Sequence, residues 1–164
     1  LGGGSGAYCI VACQTYPALK ACCVDFQEVI DVARGFIAES GVADRIIAML
    51  LSYKDDPLPE GYDFIWFGGT LQSYSYNQTR EILKKVYTVL PGNGKLRLYD
   101  YFLHNDRTGP LFSSLMNLGV FEGTSESSIL TLEEMEQILR EAGFRDIRHE
   151  PLNREQTWLF WADK

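Results

Sequence analysis

Short apolar segments alternate with amphipathic helical segments along most of the 164-residue chain. Apolar runs bounded by turn residues predict strands, and apolar residues at helical spacing between them predict helices. We expect strands at 20–25, 45–51, 62–68, 95–102, 145–150 and 156–162. We expect helices at 7–16, 27–40, 77–90, 111–118 and 131–143. This order predicts an α/β fold in which helices cover both faces of a mainly parallel sheet.

Apolar side chains within two of these segments predict where the core lies. The strand at 45–51 reads RIIAMLL and is expected to be buried. The helix at 27–40 is expected to place five apolar residues on one face: Val29, Ile30, Val32, Ala33 and Ile37. Thr131 is expected to cap the last helix, because threonine side chains accept hydrogen bonds from free amide groups of a first helical turn.

The chain begins with a glycine-rich run, LGGGSG, in which Gly2, Gly4 and Gly6 stand at alternate positions. Glycines let a backbone turn tightly and approach a ligand where a Cβ atom would clash. Asp25 follows Gly6 by 19 residues and lies at the end of a predicted strand. An acidic residue at that point can accept hydrogen bonds from ribose hydroxyl groups. The pair therefore predicts a nucleotide-like cofactor.

The glycine run alone leaves three interpretations open. Gly2, Gly4 and Ala7 satisfy the loose dinucleotide pattern GxGxx(G/A), which would indicate a nicotinamide cofactor. The same loop would also suit S-adenosylmethionine. A glycine-rich linker without function is the third interpretation. In sheets of this type ligands bind beyond the carboxyl ends of the strands, where we expect a set of polar and small residues: Gly6, Asp25, Ser52, 68–74 and Asp100.

Composition excludes some partners and favours a single domain over residues 1–164. The formal net charge of −7 argues against nucleic acid, because phosphate binding requires a concentrated basic surface. No apolar run approaches the roughly 18 residues that span a bilayer. The four cysteines, which are Cys9, Cys13, Cys22 and Cys23, lack CxxC spacing and a nearby histidine. We interpret them as buried thiols rather than metal ligands, and reduced thiols suit a cytoplasmic location.

Motifs spread over nearly the whole chain resemble those of one enzyme family. They are LGGGSG (1–6), VDFQEVI (24–30), DPLPEGYD (56–63), ILKKVYTVLPGNG (82–94) and EAGF (141–144). Together they resemble class I S-adenosylmethionine-dependent methyltransferases, specifically the C-terminal catalytic domain of the small-molecule, caffeate-type O-methyltransferases of plants, fungi and bacteria. The resemblance implies a Rossmann-like, mostly parallel, seven-stranded sheet that ends in an antiparallel hairpin. Its first strand would lie ahead of Leu1.

The resemblance also implies which residues bind S-adenosylmethionine: Gly2, Gly4, Gly6, Asp25, Phe26, Ser52, Tyr53, Gly68 and Tyr74. The three glycines of the loop would line the methionine and ribose side. Asp25 would bind the ribose hydroxyls, and Phe26 would flank the adenine. The family usually has an aspartate for the adenine amino group where this chain has Ser52. Tyr53 would keep the aromatic contact, or would be an ordinary residue at the rim.

The catalytic residues of the family are only partly matched. The histidine base of its His-Asp-Trp motif is replaced by Gln72, which cannot take a proton near neutral pH. Asp100 stands at the first supporting carboxylate and is one methylene shorter than the usual residue. The second carboxylate aligns with Ile129, with Glu122 and Glu126 nearby. We therefore assign Gln72 and Asp100 the role of orienting an acceptor.

Two further features of the sequence bear on the acceptor. His104 is a candidate replacement base, or an ordinary loop histidine. The apolar stretch at 103–130 either lines a cavity for a flat aromatic acceptor or forms a packed cap or subunit contact.

The resulting hypothesis is a cytoplasmic enzyme that methylates a small, aromatic hydroxyl acceptor largely by proximity. The alternative is a family member that binds the cofactor but performs other chemistry, or only binds; a nicotinamide oxidoreductase ranks third. The resemblance implies a homodimer formed through an N-terminal helical domain. We expect these 164 residues alone to melt poorly or to fail to bind cofactor.

Overall fold

The structure, a computed structural model, describes residues 1–123, 128–153 and 157–164. These residues form two compact units, Leu1–Pro57 (unit 1) and Leu58–Lys164 (unit 2). Within the described ranges, no helix combines the length and the apolar character needed to cross a membrane.

Unit 1 is a two-stranded parallel ladder with two helices. Its elements in chain order are α1 (Ala7–Thr15), β1 (Ala21–Asp25), α2 (Gln27–Glu39) and β2 (Ile46–Leu50). Strand β1 pairs with β2 from Ala21 opposite Ile46 to Asp25 opposite Leu50. Both strands therefore run in one direction, and their carboxyl ends lie side by side after Asp25 and Leu50.

The core of unit 1 lies between the ladder and its helices. Its buried residues include Cys13 from α1, Cys23 from β1, and Ile30, Ala33 and Ile37 from α2. The prediction that Ile30, Ala33 and Ile37 face the core is confirmed.

The prediction that Val32 shares the face of Ile30, Ala33 and Ile37 is wrong, because this side chain is 53% exposed. At about 100° per residue, Val32 lies roughly 200° around α2 from Ile30 and faces outward. The prediction of a buried β2 is only partly correct. Ile46 and Ala48 pack into the core, whereas Ile47 is 58% exposed, because successive side chains of a strand point to opposite faces.

Unit 2 contains a four-stranded mixed sheet in the order β3-β4-β6-β5. Its elements are β3 (Phe64–Gly68), α3 (Tyr76–Val89), β4 (Lys95–Asp100), α4 (Leu111–Gly123), α5 (Leu132–Ala142), β5 (Arg145–Leu152) and β6 (Thr157–Asp163). Strands β3 and β4 are parallel, while β6 is antiparallel to both β4 and β5. The predicted antiparallel pairing of the two late strands is confirmed.

Two capping boxes fix where the helices of unit 2 begin. The Ser75 side chain accepts a hydrogen bond from the Gln78 backbone amide at the start of α3, and the Thr131 side chain accepts one from Glu134 at the start of α5. In each case the third helical residue bonds back to the cap residue, which satisfies free amide groups of the first turn. The predicted Thr131 cap is therefore confirmed. Helix α5 ends at Gly143, whose φ is +107°.

The predicted elements are present with small shifts at their ends, except that α4 extends five residues beyond its predicted end at 118. The single sheet implied by the resemblance includes a first strand ahead of Leu1. The described strands pair in ladders of two and four. Parallel pairs connected by helices and a closing antiparallel hairpin agree with the α/β methyltransferase fold.

We expect Gly143→Ala to lower the free energy of unfolding by about 1–2 kcal/mol or more, because a left-handed backbone disfavours a side chain. The added Cβ would also lie 2.8 Å from Tyr87 Cζ. The matched control is Gly92→Ala, where an added Cβ meets no atom within 4 Å. Urea unfolding of the full-length protein measures both. Equal effects of the two substitutions would contradict this account of the α5 terminus.

Candidate functional site

The glycine-rich loop at the start of unit 1 has a left-handed backbone at alternate residues. The φ angles are +65° at Gly2, +56° at Gly4 and +80° at Gly6, after which α1 begins. L-residues rarely adopt these angles, so the loop conformation requires glycine. An added Cβ at Gly4 would meet no atom within 4 Å. The backbone at Gly4 is thus bare and open on one side.

Strand β1 holds this loop in place through its last residues. The Gly3 amide donates to the Val24 carbonyl at 3.0 Å, and the Gly4 amide donates to Asp25 Oδ2 at 2.8 Å. Asp25 Oδ1 accepts the Phe26 amide, also at 2.8 Å. Asp25 is only 6% exposed, and bonds to an ionised carboxylate are stronger than neutral ones. Each of its oxygens keeps a further lone pair for another donor.

Two aromatic rings lie beside Asp25 in unit 1. Phe26, the residue before α2, is 37% exposed, and its ring centroid is 5.6 Å from that of Tyr53 with the planes tilted by 41°. Tyr53 is only 2% exposed, so the interpretation of Tyr53 as a rim residue is wrong. The exposed aromatic face in this pair belongs to Phe26, with Tyr53 behind it.

Ser52 lies next to this group but is part of a tight turn. Its hydroxyl donates to Asp55 Oδ2 at 2.8 Å and accepts the Asp55 amide at 3.2 Å, while its own amide donates to Asp56 Oδ2. The preceding residue, Leu51, donates its amide to the Asp25 carbonyl. A serine hydroxyl has one donor and two acceptor positions. Ser52 therefore retains one acceptor position for an external donor.

In unit 2, Asp100 at the end of β4 holds the turn that follows β3. Asp100 Oδ2 accepts the amides of Thr70 at 3.0 Å and Leu71 at 2.8 Å, and Oδ1 accepts the Tyr101 amide at 2.8 Å. The Gly69 amide donates to the Tyr99 carbonyl at 2.7 Å. Hydrogen bonds to Tyr99 and Asp100, two consecutive residues of β4, therefore hold this turn against the strand.

Burial dominates the electrostatics of Asp100, which is 2% exposed. Loss of water raises the pKa of the Asp100 carboxyl to about 6, although the bonds from backbone amides act to lower it. The carboxylate is thus ionised at neutral pH and close to its protonation range. Because its oxygens accept hydrogen bonds from backbone amides, Asp100 stabilises the turn and does not point into solvent.

Gln72 directly follows the two residues held by Asp100. Its Oε1 atom is buried and has no hydrogen-bond partner among the described residues. Gln72 and Asp100 line a small recess together with apolar side chains that include Phe102, Leu130 and Met135. A buried acceptor without a partner costs about 1–3 kcal/mol, so this oxygen favours a site where a donor can enter.

The other two predicted cofactor residues lie near the same turn. Gly68 is the last residue of β3, opposite Tyr99, and its carbonyl accepts the Thr70 hydroxyl at 3.4 Å. Tyr74 ends the turn, donates its amide to the Leu71 carbonyl at 3.0 Å and is 9% exposed. The structure therefore brings Gly68, Gln72, Tyr74 and Asp100 together in unit 2. In unit 1 it brings the loop glycines, Asp25, Phe26, Ser52 and Tyr53 together.

Several weaker expectations fall elsewhere in unit 2. Ile129 is fully buried, so the position of the second carboxylate is a core residue. Glu126 and the side chain of Glu122 lie outside the described residues. His104 donates its backbone amide to the Gly109 carbonyl in a loop. His149 pairs through Nε2 with Glu136 at 3.0 Å on the late hairpin.

Helix α4 carries the apolar residues that were expected to line a cavity or form a contact. Leu111, Leu115 and Leu118 are each more than half exposed. The Phe112 ring lies 5.3 Å from that of Tyr101, the residue after Asp100.

Sequence reasoning missed how both aspartates are used. It assigned Asp25 and Asp100 to ligands, whereas each also binds the backbone of a loop. The hydrogen bond from Thr70 to Asp100 joins residues 30 positions apart, so the spacing of neighbouring residues in the sequence does not predict it. The adjacent glycines Gly68 and Gly69 were the available clue, because Gly69 has a φ of +69°.

Comparison with known proteins identifies the family. The O-methyltransferase domain family matches residues 1–145, and this chain belongs to that family. A curated relative is the 3-hydroxy-5-methyl-1-naphthoate 3-O-methyltransferase of Streptomyces sahachiroi, which is 31% identical over 148 residues. That match covers 90% of this chain and 43% of the relative. The chain spans less than half the length of this relative.

Solved structures show the same fold. An O-methyltransferase family 2 protein from Planctomyces limnophilus, in complex with apigenin, has a TM-score of 0.89 and 28% identity over 99% of this chain and 48% of its own. Human N-acetylserotonin methyltransferase in complex with S-adenosylmethionine has a TM-score of 0.86 and 26% identity. That match covers 100% of this chain and 46% of the human protein.

The raised pKa of Asp100 predicts a pH dependence of stability. A folded-state pKa of about 6, above the ordinary 3.8, means that the folded state binds the proton more tightly than the unfolded state. Its contribution to the free energy of unfolding should therefore increase as the pH falls from 7 towards 4, by up to about 3 kcal/mol.

Urea unfolding of the full-length protein between pH 4 and 7 measures this contribution. Asp100→Asn should remove it from the pH profile, while Asp44→Asn, at an exposed position, should leave the profile unchanged. Parallel profiles for the wild type and Asp100→Asn would contradict the burial of an ionisable carboxyl at this position.

Proposed function

We propose that this chain is the S-adenosylmethionine-binding domain of an enzyme that methylates a small, aromatic hydroxyl acceptor. The observation that carries the proposal is the bond from Gly4 to Asp25 in a loop with alternating left-handed glycines. Family membership and the cofactor named for the human relative support the same cofactor here.

The chemistry of unit 1 fits the parts of this cofactor. Bare backbone at Gly4 offers close approach, and Asp25 offers free lone pairs to a ribose diol. The negative charge of Asp25 suits a ligand that carries a positive charge. The exposed Phe26 ring offers a flat apolar face for adenine, with Tyr53 packed behind it. Ser52 offers one acceptor position to the adenine amino group.

When bound, S-adenosylmethionine supplies a methyl group on a positively charged sulfur. The chain's residues then have to orient the acceptor and accommodate its proton. Gln72 is placed to orient the acceptor, since its buried Oε1 lacks a donor that an acceptor hydroxyl would supply. Asp100 acts as a positioning residue, because it holds the amides of Thr70 and Leu71 directly before Gln72.

No step in this mechanism uses Gln72 as a base, because an amide cannot take a proton near neutral pH. The acceptor hydroxyl donates a hydrogen bond to Gln72 when it binds, and it loses its proton to water, not to Gln72, as its oxygen takes the methyl group. Orientation of reacting groups supplies a large part of such rate enhancements. Acceptors with a low intrinsic pKa, such as acidic phenols, are therefore the preferred class.

The proposal is tested by measuring binding and transfer in the same full-length protein. Calorimetric titration with S-adenosylhomocysteine should show binding, and labelled S-adenosylmethionine with phenols of graded pKa should show transfer that increases with phenol acidity. Gln72→Ala should lower transfer about tenfold or more, in the range of a lost buried hydrogen bond, while leaving cofactor binding unchanged. Ser73→Ala, at an exposed neighbouring position, is the control.

The possible results separate the hypotheses. Binding with transfer that depends on phenol acidity supports the proposal. Binding without transfer to any phenol favours a family member with other chemistry or a purely binding role, which the missing histidine also motivates. Failure of the folded full-length protein to bind S-adenosylhomocysteine would refute the proposal.

A further inference from the structure

The turn that follows β2 holds the Ser52 hydroxyl by two hydrogen bonds to a single residue, Asp55. Ser52 Oγ lies 2.8 Å from Asp55 Oδ2, and the Asp55 amide donates to Ser52 Oγ at 3.2 Å. The Ser52 amide donates to Asp56 Oδ2 at 2.9 Å in the same turn. The proposed function uses Ser52 as an acceptor and assigns no part to Asp55.

The chemistry of the Asp55 carboxylate decides where the proton of the Ser52 hydroxyl lies. An ionised carboxylate has no proton to donate, so the contact of 2.8 Å requires the hydroxyl to donate its only proton to Asp55. A backbone amide only donates, so the Asp55 amide occupies one of the two lone pairs of Ser52 Oγ. The remaining position on this hydroxyl is therefore an acceptor and cannot act as a donor.

Ser52 is placed next to the aromatic face that the proposed function assigns to adenine. The residue before it, Leu51, donates its amide to the Asp25 carbonyl at 3.2 Å. The residue after it, Tyr53, is 2% exposed, and its ring centroid lies 5.6 Å from that of Phe26. Ser52 is thus held between a contact to the last residue of β1 and a contact to the exposed ring. All of these residues belong to unit 1.

From this arrangement we infer that Asp55 is a specificity-determining residue, which fixes Ser52 as an acceptor and thereby selects a purine with an amino group at position 6 over one with a carbonyl oxygen there. The inference rests on the proposed function for the position of the purine. An amino group donates a hydrogen bond to the remaining lone pair of Ser52 Oγ. A carbonyl oxygen in its place would bring two acceptors together, because the hydroxyl has no proton to offer it.

Partial exposure sets the size of this selection. Ser52 is half-buried and Asp55 is exposed, so water competes for both side chains. The preference therefore amounts to one hydrogen bond in contact with solvent. We expect the purine with the 6-amino group to bind about fivefold more tightly, which is within the net contribution of a single hydrogen bond.

Calorimetric titration of the full-length protein with two matched ligands tests the inference. S-adenosylhomocysteine carries the 6-amino group, and S-inosylhomocysteine carries a carbonyl oxygen in its place. The wild type should bind S-adenosylhomocysteine about fivefold more tightly. Asp55→Ala keeps the backbone amide at this position but frees the Ser52 proton, so the hydroxyl can rotate and donate. The affinity for S-inosylhomocysteine should then rise to that for S-adenosylhomocysteine, which should stay unchanged.

Two further variants in the same turn separate this role from a general effect on the turn. Ser52→Ala should also make the two affinities equal, but through weaker binding of S-adenosylhomocysteine, because the acceptor is lost. Asp56→Asn keeps an oxygen that can accept the Ser52 amide and does not alter the bonds of the hydroxyl, so the fivefold preference should persist. Damage to the turn alone would lower both affinities together and leave their ratio unchanged.

The ratio of the two affinities separates this inference from the proposed function. Wild-type protein that binds S-adenosylhomocysteine and S-inosylhomocysteine equally would overturn the inference alone. A preference that persists unchanged in Asp55→Ala would overturn it as well. Folded wild-type protein that binds neither ligand would refute the proposed function, and the inference would fall with it.

Discussion

A buried carboxylate at the end of a parallel strand, bonded to the backbone of a neighbouring loop, is the interaction on which the candidate site residues of each unit depend. Asp25 ends β1 and binds the amides of Gly4 and Phe26. Asp100 ends β4 and binds the amides of Thr70, Leu71 and Tyr101. In each unit one carboxylate oxygen accepts a hydrogen bond from the amide of the next residue. The other oxygen accepts hydrogen bonds from the backbone of a loop that is distant in sequence. A charged acceptor that is shielded from water holds such loops more firmly than a neutral one would.

The two carboxylates differ in what they leave available. Asp25 faces a bare glycine backbone and an exposed Phe26 ring, so its remaining lone pairs can reach a ligand. Asp100 directs its oxygens to the turn that carries Gln72, and burial raises its pKa to about 6. The first arrangement suits binding of a polar cofactor, and the second suits the positioning of a neutral side chain. Under the proposed mechanism Gln72 supplies no base, so the acceptor must lose its proton without one, and this favours acidic hydroxyls.

The order of elements could be predicted from the sequence because apolar periodicity and caps are local. Thr131 and Gly143 mark the ends of α5 in sequence and in structure alike. Exposure was predicted less well: Val32 and Ile47 are as apolar as their buried neighbours, and only the covering of one face of the β1–β2 ladder distinguishes them. The use of Asp100 as a backbone acceptor could not be predicted, since it depends on pairing between residues 30 positions apart.

The binding role of Asp25 is the central claim, and the affinity for S-adenosylhomocysteine measured by calorimetry on matched variants tests it most directly. Asp25→Ala removes both the proposed ribose acceptor and the bond to Gly4, so affinity should fall about tenfold or more, as expected for lost hydrogen bonds to a charged group. Asp31→Ala, which removes an exposed carboxylate on α2, should leave affinity unchanged. Equal affinities of Asp25→Ala, Asp31→Ala and the wild type in folded full-length protein would contradict the account.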